Sequence, residues 1–293
     1  MVILFPSSYT RKTCVDDAFY DEYCSALEEN LNVLLFEQPL WDSKKIIKIY
    51  GDENILEYPV IYRGWMMKPE EYKLFYKQCL QNNIQLINSS IEYANCHSFK
   101  NGYEFVKDDA PKTLFFNSVE EVVRNLNFIN STIGRFMIKD FVKSVEDTDF
   151  PKYFDHPDKE YFCQQLNKFL QYRGNLFTGG IQIKQYLDLK MYNHFTNEFR
   201  VFYSNGNPIS VSRNSNQPSY TKDLPNFLIS KYINLPSNFY TIDFIECIDD
   251  SFKVIETGDG GVSGLSPNQN PSQFYRMLDI SQRSQNQEQS IEL

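Results

Sequence analysis

The sequence lacks the excess of basic residues that a nucleic-acid-coating protein requires. Its 293 residues contain 29 lysines and arginines against 38 aspartates and glutamates, which gives a formal net charge of −9. Proteins that coat nucleic acid hold the phosphates with clustered Lys and Arg, so this class of function is excluded. A local group of basic side chains is still compatible with binding of a small anion such as a nucleotide.

Long hydrophobic runs and paired cysteines are also absent. No stretch reaches the roughly 18 apolar residues that a membrane-spanning helix needs. The six cysteines show no C-x-x-C spacing and no Cys/His metal pattern, which predicts reduced thiols. The apolar run in MVILFPSSYT is short and has no basic flank, so we expect no secretory signal and a cytoplasmic protein.

The usual phosphate-binding loops are missing as well. No G-x-x-x-x-G-K-[ST] motif occurs. The stretch FKVIETGDGGVSGL, residues 252–265, has glycines whose spacing does not fit G-x-G-x-x-G. Only about thirty residues follow it, too few for the next strand of a dinucleotide-binding fold and its acidic residue. These glycines are therefore expected to position acidic side chains and not to hold phosphate.

The residues that are present are typical of a globular α/β protein, with 42% hydrophobic and 16% aromatic residues. Short apolar runs predict strands at residues 2–5, 32–36, 60–63 and 84–87. Amphipathic patterns predict helices over 16–31 and 68–83. Because strands and helices alternate, we expect an N-terminal α/β domain over residues 1–110.

The remainder predicts an α+β domain over residues 111–280. In its first subdomain, 111–189, helical patterns alternate with two strands, and a polar loop covers 141–154. In its second subdomain, 190–280, two β-hairpins follow one another. The polar residues 281–293 predict a frayed tail.

The second hairpin, YTIDFIECIDDSFKVIET, pairs acidic residues across its strands. With the pairing centred on its Asp-Asp turn, Asp243 lies opposite Glu256, and Glu246 lies opposite Lys253. Two like charges in such a position persist if one carboxylate is protonated or if a cation lies between them. Carboxylates suit Mg²⁺, which completes its shell with phosphates and waters. The alternative is a pair of solvated carboxylates near the strand ends.

The first hairpin, EFRVFYSNGNPISVSR, turns at an Asn-Gly pair. Centring the pairing on this turn places Glu198 opposite Arg213, with Arg200 on the same face. Two arginines on adjacent strands can clamp a phosphate or a carboxylate. The alternative is an exposed ion pair of little energetic value.

Lysines occur where the pattern predicts strands and the following loop. Lys139 lies in MIKDF, Lys143 follows it in the loop, and Lys184 lies in IQIKQYL. Together with the arginines and the paired acids, they would suffice to bind Mg-ATP. A strand lysine is more often an edge residue or a side chain that snorkels to solvent, so each lysine alone is a weak signal.

Taken together, these stretches resemble the ATP-grasp superfamily. The resemblance rests on FMIKDFVKS, GGIQIKQYLDL, NEFRVFYSNGNPISVSR and YTIDFIEC with FKVIETGDGGVSGL, in this order. It is closest to the branch with rearranged basic residues, which includes bacterial and phage ATP-grasp proteins and the eukaryotic cell-division-cycle family that assists assembly of a translation initiation factor. The resemblance implies an N-terminal α/β pre-ATP-grasp domain followed by two ATP-binding α+β subdomains.

The resemblance also implies roles for individual residues around ATP. Lys139 and Lys184 match lysines that contact the nucleotide, and loop 141–154, which carries Lys143, would close over the phosphates. Residues implied at the adenine and the ribose are the hinge Gln185, Tyr186 and Leu187 with Asp188 beyond it.

Further residues are implied at the transferred phosphate and at magnesium. Arg200 matches the arginine that steadies the phosphate, and Arg213 is expected to join it. Asp243 and Glu256 match the acids that hold Mg²⁺. The family's asparagine two residues after the glutamate is replaced by Gly258, and we expect the next residue, Asp259, to be the substitute ligand.

The implied function is an ATP-dependent carboxylate–amine ligase that acts through an acylphosphate. The alternative is an ATP-binding assembly factor or chaperone that docks a protein partner without ligation, and a degenerate fold used for interaction is a third reading. Arg63, Trp65 and His97 are candidates for contact with the acceptor substrate, although packing is the more ordinary role for Trp65 and His97. The carboxylate and the amine, whether small molecule, peptide or protein, are left open.

Overall fold

The computed structural model describes residues 1–52, 59–145 and 148–291, with side chains as far as residue 284. The described strands form three four-stranded sheets and one two-stranded ladder, and helices pack against the sheets. The mixed α/β architecture predicted from the sequence is confirmed. The predicted closing loop and the predicted tail each lie partly outside the described residues, at positions 146–147 and 292–293.

The first sheet is built mainly from parallel strands. Its part of the chain contains, in order, β1 (Val2–Pro6), α1 (Tyr20–Glu28), β2 (Asn32–Phe36), α2 (Gln38–Lys44), β3 (Ile49–Tyr50), β4 (Val60–Tyr62), α3 (Pro69–Gln81), α4 (Ser90–His97) and α5 (Phe99–Val106). The strand order is β3-β2-β1-β4, and β1 runs parallel to both neighbours. Every residue of β1 is buried, as expected for a parallel strand covered on both faces. The strand predicted at 84–87 is wrong, because Leu86 makes only a single bridge to Val60.

The second sheet is antiparallel and has its own aromatic core. Its elements are β5 (Thr113–Phe116), α6 (Val119–Arg124), α7 (Leu126–Thr132), β6 (Arg135–Asp140), β7 (Phe154–Asp155), α8 (Lys159–Arg173) and β8 (Ile181–Gln185). The strand order is β5-β8-β6-β7. Residues that share this core include Val122, Phe136, Phe154, Phe162 and Ile183. The core leaves the opposite face of β6 and β8 free to line a cleft.

The third sheet is formed by the two predicted hairpins. Its elements are the short β9 (Met191–Tyr192) and β10 (Phe195–Thr196), then β11 (Glu198–Ser204), β12 (Asn207–Arg213), α9 (Asn226–Lys231), β13 (Phe239–Glu246), β14 (Phe252–Asp259) and α10 (Pro271–Ile291). The long strands are antiparallel in the order β12-β11-β13-β14. Val201, Ile242 and Val254 face a core shared with α5 and α9. Side chains of alternate residues therefore point to the other face of the sheet.

Helix α10 joins the end of the chain to its beginning. Phe274, Tyr275 and Leu278 pack in one core with Phe5 and Ala26. The helix continues to Ile291, where the sequence predicted a frayed tail from residue 281. None of the described helices is long and apolar enough to cross a membrane.

Candidate functional site

A cleft of about 680 Å³ lies between the second and third sheets. Lys139 on β6 and Lys184 on β8 line one wall, and Arg200 on β11, Asp243 on β13 and Glu256 on β14 line the other. Apolar side chains cover much of the remaining surface: Met137, Phe150, Leu187, Leu189, Ile245 and Ile255. The fold thus brings together charged residues that lie as much as 117 positions apart in the sequence.

A β-bulge positions the acidic pair at the cleft. Asp243 lies opposite Glu256, as predicted, but the register shifts immediately afterwards and leaves Ile255 without a partner in the ladder. Because of this extra residue, Glu256 and Ile255 both line the cleft, while Val254 stays in the core. A regular strand would have placed Val254 and Glu256 on the same face.

The same bulge makes the predicted Glu246–Lys253 pair wrong. Lys253 lies opposite Ile245, and the Glu246 side chain is fully buried away from it. Glu246 instead accepts hydrogen bonds from Lys190 Nζ at 3.1 Å and from Asn197 Nδ2 at 2.7 Å. Its carboxylate is therefore a packing element at the far end of the hairpin.

Each carboxylate of the cleft meets one cation. Arg200 donates from Nε and Nη2 to the two oxygens of Asp243, at 2.8 and 2.6 Å. Burial raises the pKa of Asp243 in spite of this guanidinium, with the nearby Glu256 carboxylate adding to the rise. Burial would also raise the pKa of Glu256, but its ion pair with Lys139 outweighs burial and lowers it to about 2. Cations from both walls of the cleft therefore neutralise the acids.

Lys184 crosses the cleft from β8 to the bulge. Its Nζ donates to the Ile255 carbonyl and lies 4.3 Å from the centroid of the Phe99 ring. The side chain is 5% exposed, and burial together with the neighbouring Lys139 lowers its pKa to about 7. A phosphate beside Lys184 would stabilise its protonated form.

Asp140 fixes the turn that carries Lys143 and was not predicted as a site residue. Its Oδ1 accepts from the backbone N–H groups of Val142 and Lys143, at 2.8 and 2.7 Å, and its Oδ2 accepts from Arg173 Nε at 2.8 Å. Lys143 lines a smaller cavity of about 100 Å³ that also borders the paired acids. An aspartate at the end of an apolar strand is a signal for such a turn.

The predicted hinge lies at the cleft. Gln185, Tyr186 and Leu187 all line it. The N–H groups of Gln185 and Tyr186 already donate to the carbonyls of Lys112 and Arg135, both at 2.9 Å. An adenine would therefore have to be read by other backbone groups of this segment.

Arg135 supports the hinge through an aromatic sandwich. Its guanidinium lies 3.8 Å from the centroid of the Tyr153 ring and 3.9 Å from that of Tyr186. The contact holds the Tyr186 ring in place, since a guanidinium is attracted to both aromatic faces. No sequence motif signals it, because the two tyrosines lie on separate segments.

Asp188, expected near the ribose, is not among the residues that line the cleft. Its side chain is partly exposed, and its carbonyl accepts from Ile248 N at 2.9 Å. Three polar residues that were not predicted as site residues line the cleft: Lys152, Glu198 and Asn214.

Asp259 borders the small cavity beside Lys143 but does not pair with the other two acids. Strand β14 continues through Asp259, which pairs with Tyr240 and so alternates away from Glu256 in the strand. Its two oxygens accept from Asn88 Nδ2 at 2.6 Å and from the Gly261 N–H at 2.8 Å. Burial raises its pKa to about 7. The predicted turn that would bring Asp259 beside Asp243 is wrong.

The glycine at 258 is explained by close packing. A Cβ at Gly258 would lie 2.6 Å from Thr241 Oγ1 and 2.7 Å from Ser263 Oγ, closer than real contacts allow. Among the described residues, no group of three or more His, Cys, Asp or Glu side chains is placed to hold a metal ion. Two neighbouring carboxylates nevertheless fit Mg²⁺, which usually takes one or two protein carboxylates together with substrate phosphates and waters.

Arg213 is separated from Arg200. A one-residue bulge in β12 places Arg213 opposite Phe199, so the predicted pairing with Glu198 and the predicted shared face with Arg200 are wrong. Its guanidinium lies 5.4 Å from the centroid of the Phe199 ring and forms an ion pair with Asp223 at 2.8 Å.

The N-terminal candidates have different surroundings. Arg63 is buried and donates to both oxygens of Glu22, at 2.9 and 2.7 Å, so its charge is already paired. His97 stacks on Tyr93 at 4.7 Å and also lines the small cavity beside Lys143, and burial lowers its pKa to about 4. Trp65 is 45% exposed.

Solved structures with the same fold are ATP-grasp proteins. The RimK domain ATP-grasp protein from Sphaerobacter thermophilus superposes with a TM-score of 0.62 at 11% identity, over 96% of this chain and 99% of that chain. The D-alanine–D-alanine ligase from Coxiella burnetii gives 0.60 at 10% identity, over 99% and 97%. The ATP-grasp ligase PsnB, in complex with a minimal precursor, Mg and ADP, gives 0.61 at 10% identity, over 96% and 97%. At these identities the similarity establishes the fold alone.

The sequence itself also matches a family. The matching family model describes an ATP-grasp domain, the third family of its clade, and covers residues 105–278. No curated protein matches the chain. The match spans more than half of the chain and contains the whole cleft described above, so this chain belongs to that family of ATP-grasp domains.

Proposed function

We propose that the chain is an ATP-dependent carboxylate–amine ligase that forms an amide-like bond through an acylphosphate. The observation that carries the proposal is the cleft, where Lys139 and Lys184 on one sheet face Arg200, Asp243 and Glu256 on another. Ligases of this fold include a D-alanine–D-alanine ligase and a ligase solved with a precursor, Mg and ADP.

ATP is the proposed first substrate. Its adenine would lie against the hinge 185–187 and the apolar wall, and Lys139 and Lys184 would neutralise its phosphates. Asp243 and Glu256 would hold Mg²⁺, which supplies charge neutralisation at the phosphates when it is bound.

Three residues that the sequence predicted for this site are left out of the proposal. Asp188 does not line the cleft, and Arg213 is paired with Asp223. Asp259 is held by Asn88 and the Gly261 N–H, so its oxygens are already engaged.

The proposed reaction has two steps. An oxygen of the substrate carboxylate attacks the γ-phosphorus of ATP, the bond to the β-phosphate oxygen breaks, and ADP leaves. An amine nitrogen then attacks the acyl carbon, and inorganic phosphate leaves with the former C–O bond electrons. Arg200 and Lys143 would stabilise the charge on the transferred phosphoryl group, and loop 141–154 would exclude water.

Trapping of the acylphosphate tests the proposal. Purified protein with Mg-ATP and hydroxylamine is supplied with a panel of carboxylates, from free amino acids to short peptides. We expect ADP release that depends on one carboxylate class, together with the matching hydroxamate. Tight ATP binding without turnover for any carboxylate, accompanied by a stably captured protein, would instead establish the alternative assembly-factor function.

The domain division and the location belong to the same proposal. Residues 1–110 would serve as the pre-ATP-grasp domain, and 111–189 and 190–280 would supply the two walls of the cleft. We also propose a cytoplasmic protein, since all six cysteines are free thiols.

A further inference from the structure

A second cavity, of about 340 Å³, lies in the N-terminal part of the molecule. Its wall includes Tyr9, which follows β1, residues of α2, which follows β2, and Trp65 and Met66, which follow β4. The cavity therefore lies outside the carboxyl ends of neighbouring parallel strands. Crevices at this position of open α/β sheets commonly bind ligands.

Two buried polar atoms of this wall are unpaired. Gln38 and Trp41 both line the cavity and are 4% and 1% exposed. Gln38 Oε1 and Trp41 Nε1 have no hydrogen-bond partner within the described part of the chain. The Gln38 amide orientation is set by its Nε2, which donates to Asp42 Oδ1 at 2.9 Å. Since unpaired buried polar atoms are costly, one acceptor and one donor are available to a ligand here.

The cavity wall also carries an uncompensated negative charge. Asp42 accepts hydrogen bonds from Tyr9 and Gln38 but has no ion-pair partner in the described ranges. The other acid of the wall, Glu71, is paired with Lys45. No basic side chain is among the described residues that line the cavity. The wall therefore favours a cation.

Aromatic and sulfur-containing side chains form the rest of the wall. Tyr9, Trp41 and Trp65 present three aromatic rings, and Met66 and Met67 lie beside them. Aromatic faces attract ammonium groups, and thioethers pack well against a flexible apolar stem. This combination suits an ammonium on an alkyl chain better than an inorganic cation, which would require more oxygen ligands.

The cavity is linked to the acidic pair of the cleft. Met66 lines this cavity, a neighbouring cavity of about 600 Å³, and the small cavity that borders Asp243 and Glu256. The neighbouring cavity is lined by the acids Asp21 and Glu22 as well as by Arg63, whose charge Glu22 neutralises. A path of acidic character thus leads from the second cavity to the proposed reaction site.

We propose that this second cavity binds the side-chain ammonium of a basic amine substrate, such as a lysine at the amino end of a peptide, whose α-amine is the nucleophile. This inference rests on the proposed ligase function, because it assigns the amine substrate of that reaction. The ammonium contacts Asp42 and Gln38 Oε1, and its alkyl stem packs between Trp65 and Met66.

Tryptophan fluorescence offers a direct test in the full-length chain. The sequence contains two tryptophans, Trp41 and Trp65, and both line the cavity. L-Lysine amide is titrated as the probe, and L-norleucine amide, which lacks the side-chain ammonium, is the neutral comparison. We expect a saturable fluorescence change with the lysine amide and at least roughly tenfold weaker binding of the norleucine amide.

Two variants separate the cavity from general surface charge. Asp42→Asn is expected to weaken lysine amide binding about tenfold. Glu70→Gln, an exposed acid next to Glu71 that does not line the cavity, is expected to leave it unchanged. Equal binding of the two amides, no fluorescence change in folded protein, or no effect of Asp42→Asn would each overturn the inference.

ATP binding, measured separately by equilibrium dialysis, distinguishes failure of this inference from failure of the proposed function. Loss of lysine amide selectivity with intact Mg-ATP binding and ADP release refutes the cavity's role alone. Intact lysine amide selectivity without any carboxylate-dependent ADP release refutes the ligase and leaves the ammonium site supported.

Discussion

Asp243 and Asp259 lie on adjacent strands of one hairpin, yet their surroundings differ in almost every respect. Both carboxylates are buried, with 6% and 2% of each residue exposed. Asp243 faces the cleft and is bound by both arms of the Arg200 guanidinium. Asp259 points away from that guanidinium and is bound by neutral groups, the Asn88 amide and the Gly261 N–H.

The difference separates a charged working face from a face that joins parts of the fold. The cations at Asp243 and Glu256 come from side chains that a bound metal and phosphates can engage instead. Asn88 lies just before α4, and its Oδ1 also accepts from the N–H groups of Asn238 and Phe239, so Asp259 extends a network between the N-terminal part and the third sheet. A buried acid with neutral partners holds its proton more tightly, which agrees with its raised pKa of about 7.

The largest expected effect breaks the working face. We expect Glu256→Gln to lower carboxylate-dependent ADP release about 100-fold or more, because it removes a charge proposed to hold Mg²⁺ and leaves Lys139 unpaired. A coupled assay of ADP measures it. Asp249→Asn, at the exposed turn of the same hairpin, serves as the matched control and should retain activity. Activity of Glu256→Gln within about tenfold of the parent would contradict the proposed site.

The next comparison sets the two arginines of the first hairpin against each other. Arg200→Gln removes the guanidinium that binds Asp243 at the cleft, and we expect a loss of about 100-fold in turnover. Arg213→Gln removes one that pairs with Asp223 instead, and we expect turnover within about threefold. Equal losses in the two variants would show that Arg213 reaches the reaction after all.

A smaller effect concerns the pH dependence of ATP binding. The pKa of Lys184 is lowered to about 7 by burial and by Lys139, and phosphates would raise it again. The lysine therefore takes up a proton on binding ATP above that pH, so affinity should fall about tenfold between about pH 7 and 8.5. Calorimetric Kd values across this range measure it.

Lys184→Arg is the control for that titration, because a guanidinium stays protonated throughout. Its ATP affinity should vary much less with pH, even if it is weaker at every pH. A pH dependence identical to that of the parent chain would assign the titrating group elsewhere.

The smallest effect on activity is expected at the joining face. Asp259→Asn should lower the free energy of unfolding by about 1–3 kcal/mol near pH 5, because the amide cannot accept both hydrogen bonds, while turnover stays within a few-fold. Urea unfolding followed by fluorescence measures it. A large loss of turnover with unchanged stability would place Asp259 at the reaction site.

The same variant tests the sign of a pH effect. The pKa of Asp259 is about 7 in the folded chain and 3.8 ordinarily, so between these values the folded state holds a proton that the unfolded state has released. Its contribution to stability is therefore complete below about pH 4 and is lost as the pH rises to about 7. The stability difference between parent and Asp259→Asn should shrink over this range, and a growing difference would contradict the assignment.

Part of this site was readable from local pattern. The Asp-Asp turn placed Asp243 opposite Glu256, and apolar strands with single lysines pointed to Lys139 and Lys184. These predictions depended on alternation within strands, which a sequence displays directly. The hidden part depended on bulges, since each shifts the register by one residue and moves side chains to the other face.

Sequence alone determined which residues could form the cleft: an acidic hairpin, basic strands and a hinge, in the order of the ATP-grasp family. Tertiary structure decided which of them meet. The bulge at Ile255 turns Glu256 to the cleft, where Lys184 from another sheet binds the Ile255 carbonyl, and the bulge in β12 turns Arg213 away. Such bulges are stabilised by contacts between distant segments, and a local pattern carries no record of those contacts.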